Sequence, residues 1–115
     1  MPLNIETRET GDVTFVDLDG RIVLGGESNR LRECVSALLA GKKQKIVLNM
    51  SNVSFIDSAG VGALVSCLRS AQTKQATLKL CSLTPQTRAV LTITKLISIF
   101  GVTDDESMAL QSFSS

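Results

Sequence analysis

Residues 54–62, SFIDSAGVG, join the end of an apolar stretch to the start of an amphipathic one. The apolar spacing after this stretch predicts a helix whose first turn is capped by Asp57 or Ser58. Two glycines in that first turn need a reason, because each costs about 1 kcal/mol of helix propensity relative to alanine. We interpret Gly60 and Gly62 as making room for another molecule to approach the backbone beside Ser58.

The surrounding chain predicts one α/β domain over residues 1–115, a length that suits a single core. Short strands alternate with amphipathic helices, and parallel crossovers are the economical connections. Expected strands cover residues 3–10, 13–18, 21–24, 45–50, 76–81 and 97–100, with turns at Gly11-Asp12 and Asp19-Gly20, and Val53–Ile56 leading into the quoted stretch. Expected helices run from Gly25-Gly26 to Gly41, from Asp57 or Ser58 to residues 70–74, from Thr84-Pro85 to residue 94 or 95, and from Asp104 to Phe113.

The start of the last helix carries a capping-box pattern, Thr103-Asp-Asp-Glu106. In this motif the threonine accepts a hydrogen bond from the N–H three residues later, and the glutamate reaches back to the threonine N–H. The two aspartates also suit the positive end of a helix. We therefore expect Thr103 to cap this helix.

The composition limits the classes of function that the protein can have. The chain has 12 Lys+Arg, 11 Asp+Glu and no Trp or Tyr, which disfavours nucleic-acid binding. No apolar run approaches the roughly 20 residues that cross a bilayer, so we expect no membrane insertion and a cytoplasmic location. Cys34, Cys67 and Cys81 form no CxxC motif and are expected to be small core residues, without a zinc site or disulfide framework.

Catalytic and cofactor motifs are also incomplete. The chain has no histidine, so Ser-His-Asp and Cys-His pairs cannot form within it. The GxG at Gly60–Gly62 fails as a dinucleotide fingerprint, since Val65 stands at the third glycine position. A hydrolase nucleophile elbow would need glycine at Ile56. We expect no enzyme activity, no catalytic residue, no metal and no cofactor.

The quoted stretch does suit a serine that another protein phosphorylates. A phosphate on Ser58 would meet free N–H groups and the positive helix end, a favourable interaction of about 0.3–2 kcal/mol. At an interface the added charge beside Asp57 would instead oppose binding, because a buried unpaired charge costs several kcal/mol. The same modification would therefore leave the fold intact and weaken a complex.

Four segments carry a family pattern: GRIVLGGESNRLRE (20–33), KIVLNMSNVSFIDSAGVGALV (45–65), LKLCSLT (78–84) and VTDDESMAL (102–110). Together they resemble STAS domains, specifically the bacterial anti-sigma factor antagonists. The resemblance is strongest at the D-S-x-G-x-G run, Asp57 to Gly62. It implies an α/β fold with a mixed sheet of about five strands and about four helices packed against it.

In this family the serine directly after the aspartate is the phosphoacceptor, which corresponds to Ser58. The resemblance implies that the unphosphorylated protein binds an anti-sigma factor serine kinase and releases a sigma factor, and that a serine phosphatase restores this form. It also implies that Asp57 positions the serine and caps the helix. The partner-binding residues are then Asp57, Ser58, Ala59, Gly60, Val61 and Gly62.

Three alternatives stay open at this point. One is a constitutive STAS scaffold or accessory subunit, in a stress-signalling assembly or a lipid transporter, without a phosphorylation cycle. Another is a nucleotide-binding domain or enzyme, and the third is a stable domain in which Ser58 is an ordinary helix cap. The oligomeric state is undecided, since exposed Val or Leu near the opening strand could pair with a second copy.

Overall fold

The structure, a computed structural model, describes residues 3–113. Strands and helices alternate along this part of the chain after an opening hairpin. Their bounds are β1 Asn4–Thr10, β2 Val13–Ile22, α1 Gly26–Ala40, β3 Lys45–Ile56, α2 Ser58–Thr73, β4 Thr77–Cys81, α3 Pro85–Ile93, β5 Gly101–Thr103 and α4 Glu106–Ser112. The five strands form one sheet in the order β1-β2-β3-β4-β5, antiparallel between β1 and β2 and parallel elsewhere. This confirms the predicted α/β class with a mixed sheet of five strands and four helices.

Helices cover the two faces of the sheet unequally. The main core lies between one face and helices α1, α2 and α3, which contribute residues such as Leu31, Leu64 and Leu91. Helix α4 covers part of the opposite face, over a small cluster that includes Phe15 and Ala109. The side chains of strands β1 to β3 beyond α4 therefore remain accessible on that opposite face.

Strand β2 is longer than predicted. The hairpin at Gly11-Asp12 is confirmed, but the predicted turn at Asp19-Gly20 and the separate strand at 21–24 are wrong, because β2 continues to Ile22. Two register irregularities in its pairing with β3 absorb the turn-like residues, and Gly20 takes a φ of 127°. Glycine tolerates this left-handed backbone, so the strand bends there without ending.

Strand β3 also runs on, from the predicted 45–50 segment to Ile56. Its residue Asn49 pairs with Asp17 of β2, while Ile56 pairs with Ile22, so seven steps along β3 match five along β2. After Asn49 the buried residues Met50, Val53 and Ile56 consequently fall at every third position. Bulges of this kind keep apolar side chains on the core face despite the extra residues.

The carboxyl-terminal region corrects two predictions. Residues 97–100 are not a strand, because the N–H groups of Leu96 and Ile97 donate to the carbonyl of Leu91 and close the end of α3. The strand that follows is β5. Thr103 is its last residue, paired with Cys81, and therefore does not cap the next helix.

Helix α4 is capped by Asp105 instead, whose Oδ1 accepts from the Met108 N–H at 2.8 Å. Glu106 does not complete a capping box, since its carboxylate accepts hydrogen bonds from Arg8 and Asn49 on the sheet. Tertiary contacts thus redirect the acidic side chain that the motif assigned to the helix start. The predicted start of α3 is confirmed, with Thr84 as its cap.

All three cysteines pack within a core cluster or against one, and two of them are buried. Cys67 and Cys81 are buried, whereas Cys34 is only partly buried. Burial raises the pKa of the Cys67 thiol to about 12. A thiol that stays protonated at neutral pH is a poor nucleophile, which agrees with a packing role for Cys67.

Candidate functional site

Helix α2 begins where β3 ends, and Asp57 is its N-cap. The Asp57 backbone is extended, with φ −103° and ψ −176°, and its Oδ1 accepts from the Gly60 N–H at 2.8 Å. The second oxygen, Oδ2, accepts from the N–H of Leu24 at 3.1 Å. Asp57 therefore caps α2 and also holds the loop between β2 and α1 against it. Ser58, the other predicted candidate for the cap, is the first residue of the helix.

These hydrogen bonds favour the charged form of Asp57. The Gly60 N–H lowers the pKa of the carboxyl, desolvation opposes this, and the Leu24 N–H lowers the pKa further. Asp57 is thus a carboxylate at neutral pH, and each of its oxygens accepts a backbone hydrogen bond. Its observed contacts fit a structural clamp beside Ser58 rather than a base acting on the serine hydroxyl.

Ser58 itself is exposed at the positive end of α2. Its hydroxyl makes no hydrogen bond to any residue between 3 and 113. The side chain is therefore available to a molecule that approaches this end of the sheet. The neighbouring Ala59 is partly buried.

The two glycines of the first turn have different structural roles. A Cβ added to Gly60 would lie 2.0 Å from the carbonyl oxygen of Ile22 and 2.8 Å from the Ile56 side chain. Gly60 is buried, so packing against the end of β2 requires glycine there. A Cβ on Gly62 would meet no atom within 4 Å. The expected room for another molecule therefore exists at Gly62, and intramolecular packing accounts for Gly60.

The surface around Ser58 consists of one side of the first helical turn. Ser58 and Gly62 are exposed, while Val61 is buried with Gly60 beneath them. From Gly62 a shallow groove of about 330 Å³ follows the outer side of α2 as far as Thr73. Of the predicted site residues, Ser58 and Gly62 are therefore accessible to a partner, whereas Gly60 and Val61 are buried.

Two exposed apolar residues near this edge were missed by the sequence analysis. Leu24 is 77% exposed, in the loop whose backbone Asp57 holds. Phe55 is 41% exposed, and the Arg21 guanidinium lies 5.5 Å from the centre of its ring. Neither exposed side chain is evident from the sequence. Leu24 ends a run that predicts a strand, and the bulges of β3 hide which face of the sheet Phe55 occupies.

The residues that the structure describes contain no group of three or more His, Cys, Asp or Glu side chains placed to hold a metal ion. Over the same residues, every helix is too short or too polar to span a bilayer. The start of α2 presents the Ser58 hydroxyl, the hydrogen-bonded Asp57 carboxylate and the exposed backbone of Gly62.

Comparison with known proteins assigns the family. The STAS domain family matches residues 4–109, and the chain belongs to this family. The anti-sigma F factor antagonist of Paenibacillus polymyxa is 26% identical over 110 residues, which cover 96% of this chain and 94% of that protein.

Solved structures support the same fold. The Thermotoga maritima protein TM1081 matches with a TM-score of 0.89 at 23% identity, over 96% of this chain and 95% of that chain. The anti-sigma factor antagonist SpoIIAA in its unphosphorylated form matches with a TM-score of 0.73 at 21% identity, over 98% of both chains. The Bacillus cell fate determinant SpoIIAA in its phosphorylated form matches with a TM-score of 0.71 at 20% identity, over 96% of this chain and 98% of that chain.

Proposed function

We propose that this protein is a phosphorylation-switched regulatory module of the anti-sigma factor antagonist type. In the unphosphorylated state it binds an anti-sigma factor that is also a serine kinase, and this binding releases a sigma factor. Phosphorylation of Ser58 dissociates the complex, and a serine phosphatase restores the unphosphorylated form that binds. The protein would carry out this exchange in the cytoplasm.

One observation carries the proposal: Ser58 presents an exposed hydroxyl at the start of α2, next to the open backbone of Gly62. A kinase must bring its active site close to the acceptor oxygen, and no Cβ projects at Gly62 to obstruct that approach. In this role the chain supplies the acceptor serine, and the kinase supplies the nucleotide, the metal and the catalytic groups.

The likeness to SpoIIAA supports the proposal, since that protein is described in both an unphosphorylated and a phosphorylated form. The same position explains why phosphate would leave this fold standing. The positive end of α2 favours an added anion, while Asp57 already holds the first turn through Gly60.

Phosphate would act on the complex rather than on the fold. It adds a charge of about −1.5 to −2 beside the Asp57 carboxylate. A partner packed against Ser58 and Gly62 would have to desolvate both charges, at a cost of several kcal/mol where they are unpaired. Because 1.4 kcal/mol is a factor of ten in affinity, we expect binding to weaken by a hundredfold or more.

The first test is mass-spectrometric mapping of the protein isolated from its own cells. The tryptic peptide Ile46–Arg69 contains four serines, so fragment ions must assign the phosphate. These serines are Ser51, Ser54, Ser58 and Ser66. Phosphate on Ser58 that changes with growth or stress supports the proposal. A peptide that is unmodified under every condition contradicts it and favours the constitutive scaffold.

Binding to the cognate kinase gives the second test, by titration calorimetry. Ser58→Ala should retain wild-type affinity, and Ser58→Asp should lose about a hundredfold or more, as estimated from the charge argument. Ser51→Asp is the matched control, because Ser51 is also exposed but lies on β3, away from the start of α2. Equal losses for Ser58→Asp and Ser51→Asp would show that charge alone, and not the site, weakens the complex.

A further inference from the structure

The two edges of the sheet differ in how well they are protected. Strand β5 at one edge has three residues, whereas β1 at the other has seven. Proteins usually blunt an edge with a short strand, a proline or a lysine, because free N–H and C=O groups there can pair with another chain. Asn4–Thr10 contains neither proline nor lysine, and among residues 3–113 only β2 pairs with it.

The turn of the hairpin determines which backbone groups of β1 point outward. Gly11 and Asp12 form a two-residue turn, which Thr10 and Val13 close as a hydrogen-bonded pair. Hydrogen-bonded and non-hydrogen-bonded pairs alternate in an antiparallel ladder. The N–H and C=O groups of the odd-numbered residues Ile5, Thr7 and Glu9 therefore point away from β2, toward the free edge.

The side chains of β1 carry opposite charges on one face. Glu6 lies directly opposite Asp17 of β2, an unfavourable pairing of like charges, and has no ion-pair partner among residues 3–113. Arg8 binds Asp17 through Nε and Nη2, and Glu106 through Nη2. Its Nη1 has no such partner within the same residues and can bind a further carboxylate.

We propose that β1 pairs with β1 of a second copy of this chain, antiparallel and about a two-fold axis at Thr7. In this register Thr7 faces Thr7, Ile5 faces Glu9, and Glu6 of each copy faces Arg8 of the other. The outward groups of the two strands form about six N–H···O bonds, two for each hydrogen-bonded pair. The two five-stranded sheets then continue across the axis as one.

Neighbouring registers fit less well. A shift of two residues in one direction places Glu6 opposite Glu6, and a shift of two in the other places Arg8 opposite Arg8. Like charges directly opposite each other on paired strands are destabilising. The register centred on Thr7 pairs all seven residues of Asn4–Thr10 and opposes unlike charges. The interface is isologous, as a closed dimer requires.

This interface is independent of the proposed function. Ser58 follows β3, and β2 lies between β3 and β1 in the sheet. Pairing through β1 therefore leaves the start of α2 accessible in both copies. The dimer can be present or absent whatever the outcome at Ser58.

Sedimentation equilibrium of the full chain, up to millimolar concentration, tests the pairing. Wild-type protein should show a reversible dimer, and Thr7→Pro should be monomeric because proline removes the N–H at the axis. An edge strand accepts proline where its N–H faces solvent, so the monomer should fold. Thr7→Val is the matched control, which keeps the N–H and should still dimerise. A monomeric wild type, or a dimer that survives Thr7→Pro, would overturn the proposal.

Disulfide trapping tests the register. Paired Cα atoms in such a ladder lie about 5.5 Å apart, within the disulfide range of about 4.4–6.8 Å. Thr7→Cys should therefore cross-link to itself under mild oxidation. In Glu9→Cys the two cysteines would lie about 14 Å apart, four residues at about 3.4 Å each, and should not cross-link. Wild-type protein measures the background from the native cysteines, and equal cross-linking of the two variants would refute this register.

Discussion

The inner and outer sides of the first turn of α2 differ in packing and in solvent exposure. On the inner side, Gly60 packs against the Ile22 carbonyl with no space for a methyl group. On the outer side, Gly62 has open space and Ser58 is exposed. Residues two positions apart in a helix point to different sides, so one glycine serves the fold and the other leaves the surface open.

This difference shows how the chain can present an exposed serine without loosening the structure around it. Gly60 brings α2 close to the end of β2, and Asp57 holds both the Gly60 and Leu24 N–H groups. These contacts fix the inner side of the turn, while its outer side stays exposed to solvent. The proposed phosphorylation of Ser58 would benefit from a rigid support of this kind.

The largest expected effect comes from filling the inner side. Gly60→Ala places a Cβ against a backbone carbonyl, which cannot move away as a flexible side chain would. We expect the free energy of unfolding to fall by about 3 kcal/mol, the upper part of the range for overpacking. Urea denaturation measures it. An unchanged midpoint would mean that α2 can shift away from β2 at little cost.

A smaller effect is expected from changing the clamp at Asp57. Asparagine is as good an N-cap as aspartate, but it replaces one carboxylate oxygen with an NH₂ donor. Asp57→Asn should keep the cap to Gly60 and release the Leu24 N–H, whose hydrogen exchange should then accelerate. Asp57→Ala is the control, in which both N–H groups should lose protection. Protection of Leu24 that is unchanged in both variants would contradict the clamp.

The acid dependence of stability checks the same clamp. The pKa of Asp57 is lower in the folded protein than the usual value of about 3.9, mainly because of the Gly60 N–H. Its contribution to stability is therefore complete above about pH 4 and is lost as the pH falls through the lowered pKa. Asp57→Asn should lack this part of the loss of stability at acid pH. The urea midpoint of the variant should therefore fall less steeply below pH 4 than that of the wild type.

The smallest effect on stability is expected on the outer side. Gly62→Ala meets open space and replaces a poor helix former with a good one. We expect the free energy of unfolding to rise by up to about 1 kcal/mol. Affinity for the proposed kinase should fall in the same variant, because the new methyl group stands where the partner approaches. A stabilised variant with unchanged kinase affinity would place the contact elsewhere.

Local patterns were sufficient for most of the fold. β-Branched and aromatic residues on either side of the Gly11-Asp12 turn predicted the hairpin, and Thr84-Pro85 predicted the start of α3. These features depend on residues close in sequence, so a propensity or a cap is enough to identify them. The candidate site was predicted in the same way, since Ser58 follows an apolar strand and begins an amphipathic helix.

Other features depended on partners far away in sequence. The end of β2 and the course of β3 follow from bulges in their mutual pairing, and no local pattern announces a bulge. Glu106 fits a capping box by spacing, yet Arg8 and Asn49 on the sheet bind it. The segment after α3 looked like a strand because it is apolar, but its N–H groups close the helix end.

By itself, the sequence determined the α/β class, the four helices in their order and the serine at the start of α2, because these follow from periodicity and helix capping within short windows. Only the tertiary structure decided that Gly60 faces β2 while Gly62 faces solvent. It also decided that the Asp57 carboxylate accepts a hydrogen bond from Leu24, in the loop between β2 and α1. Both depend on how closely α2 packs against the ends of two strands, and no residue encodes that distance alone.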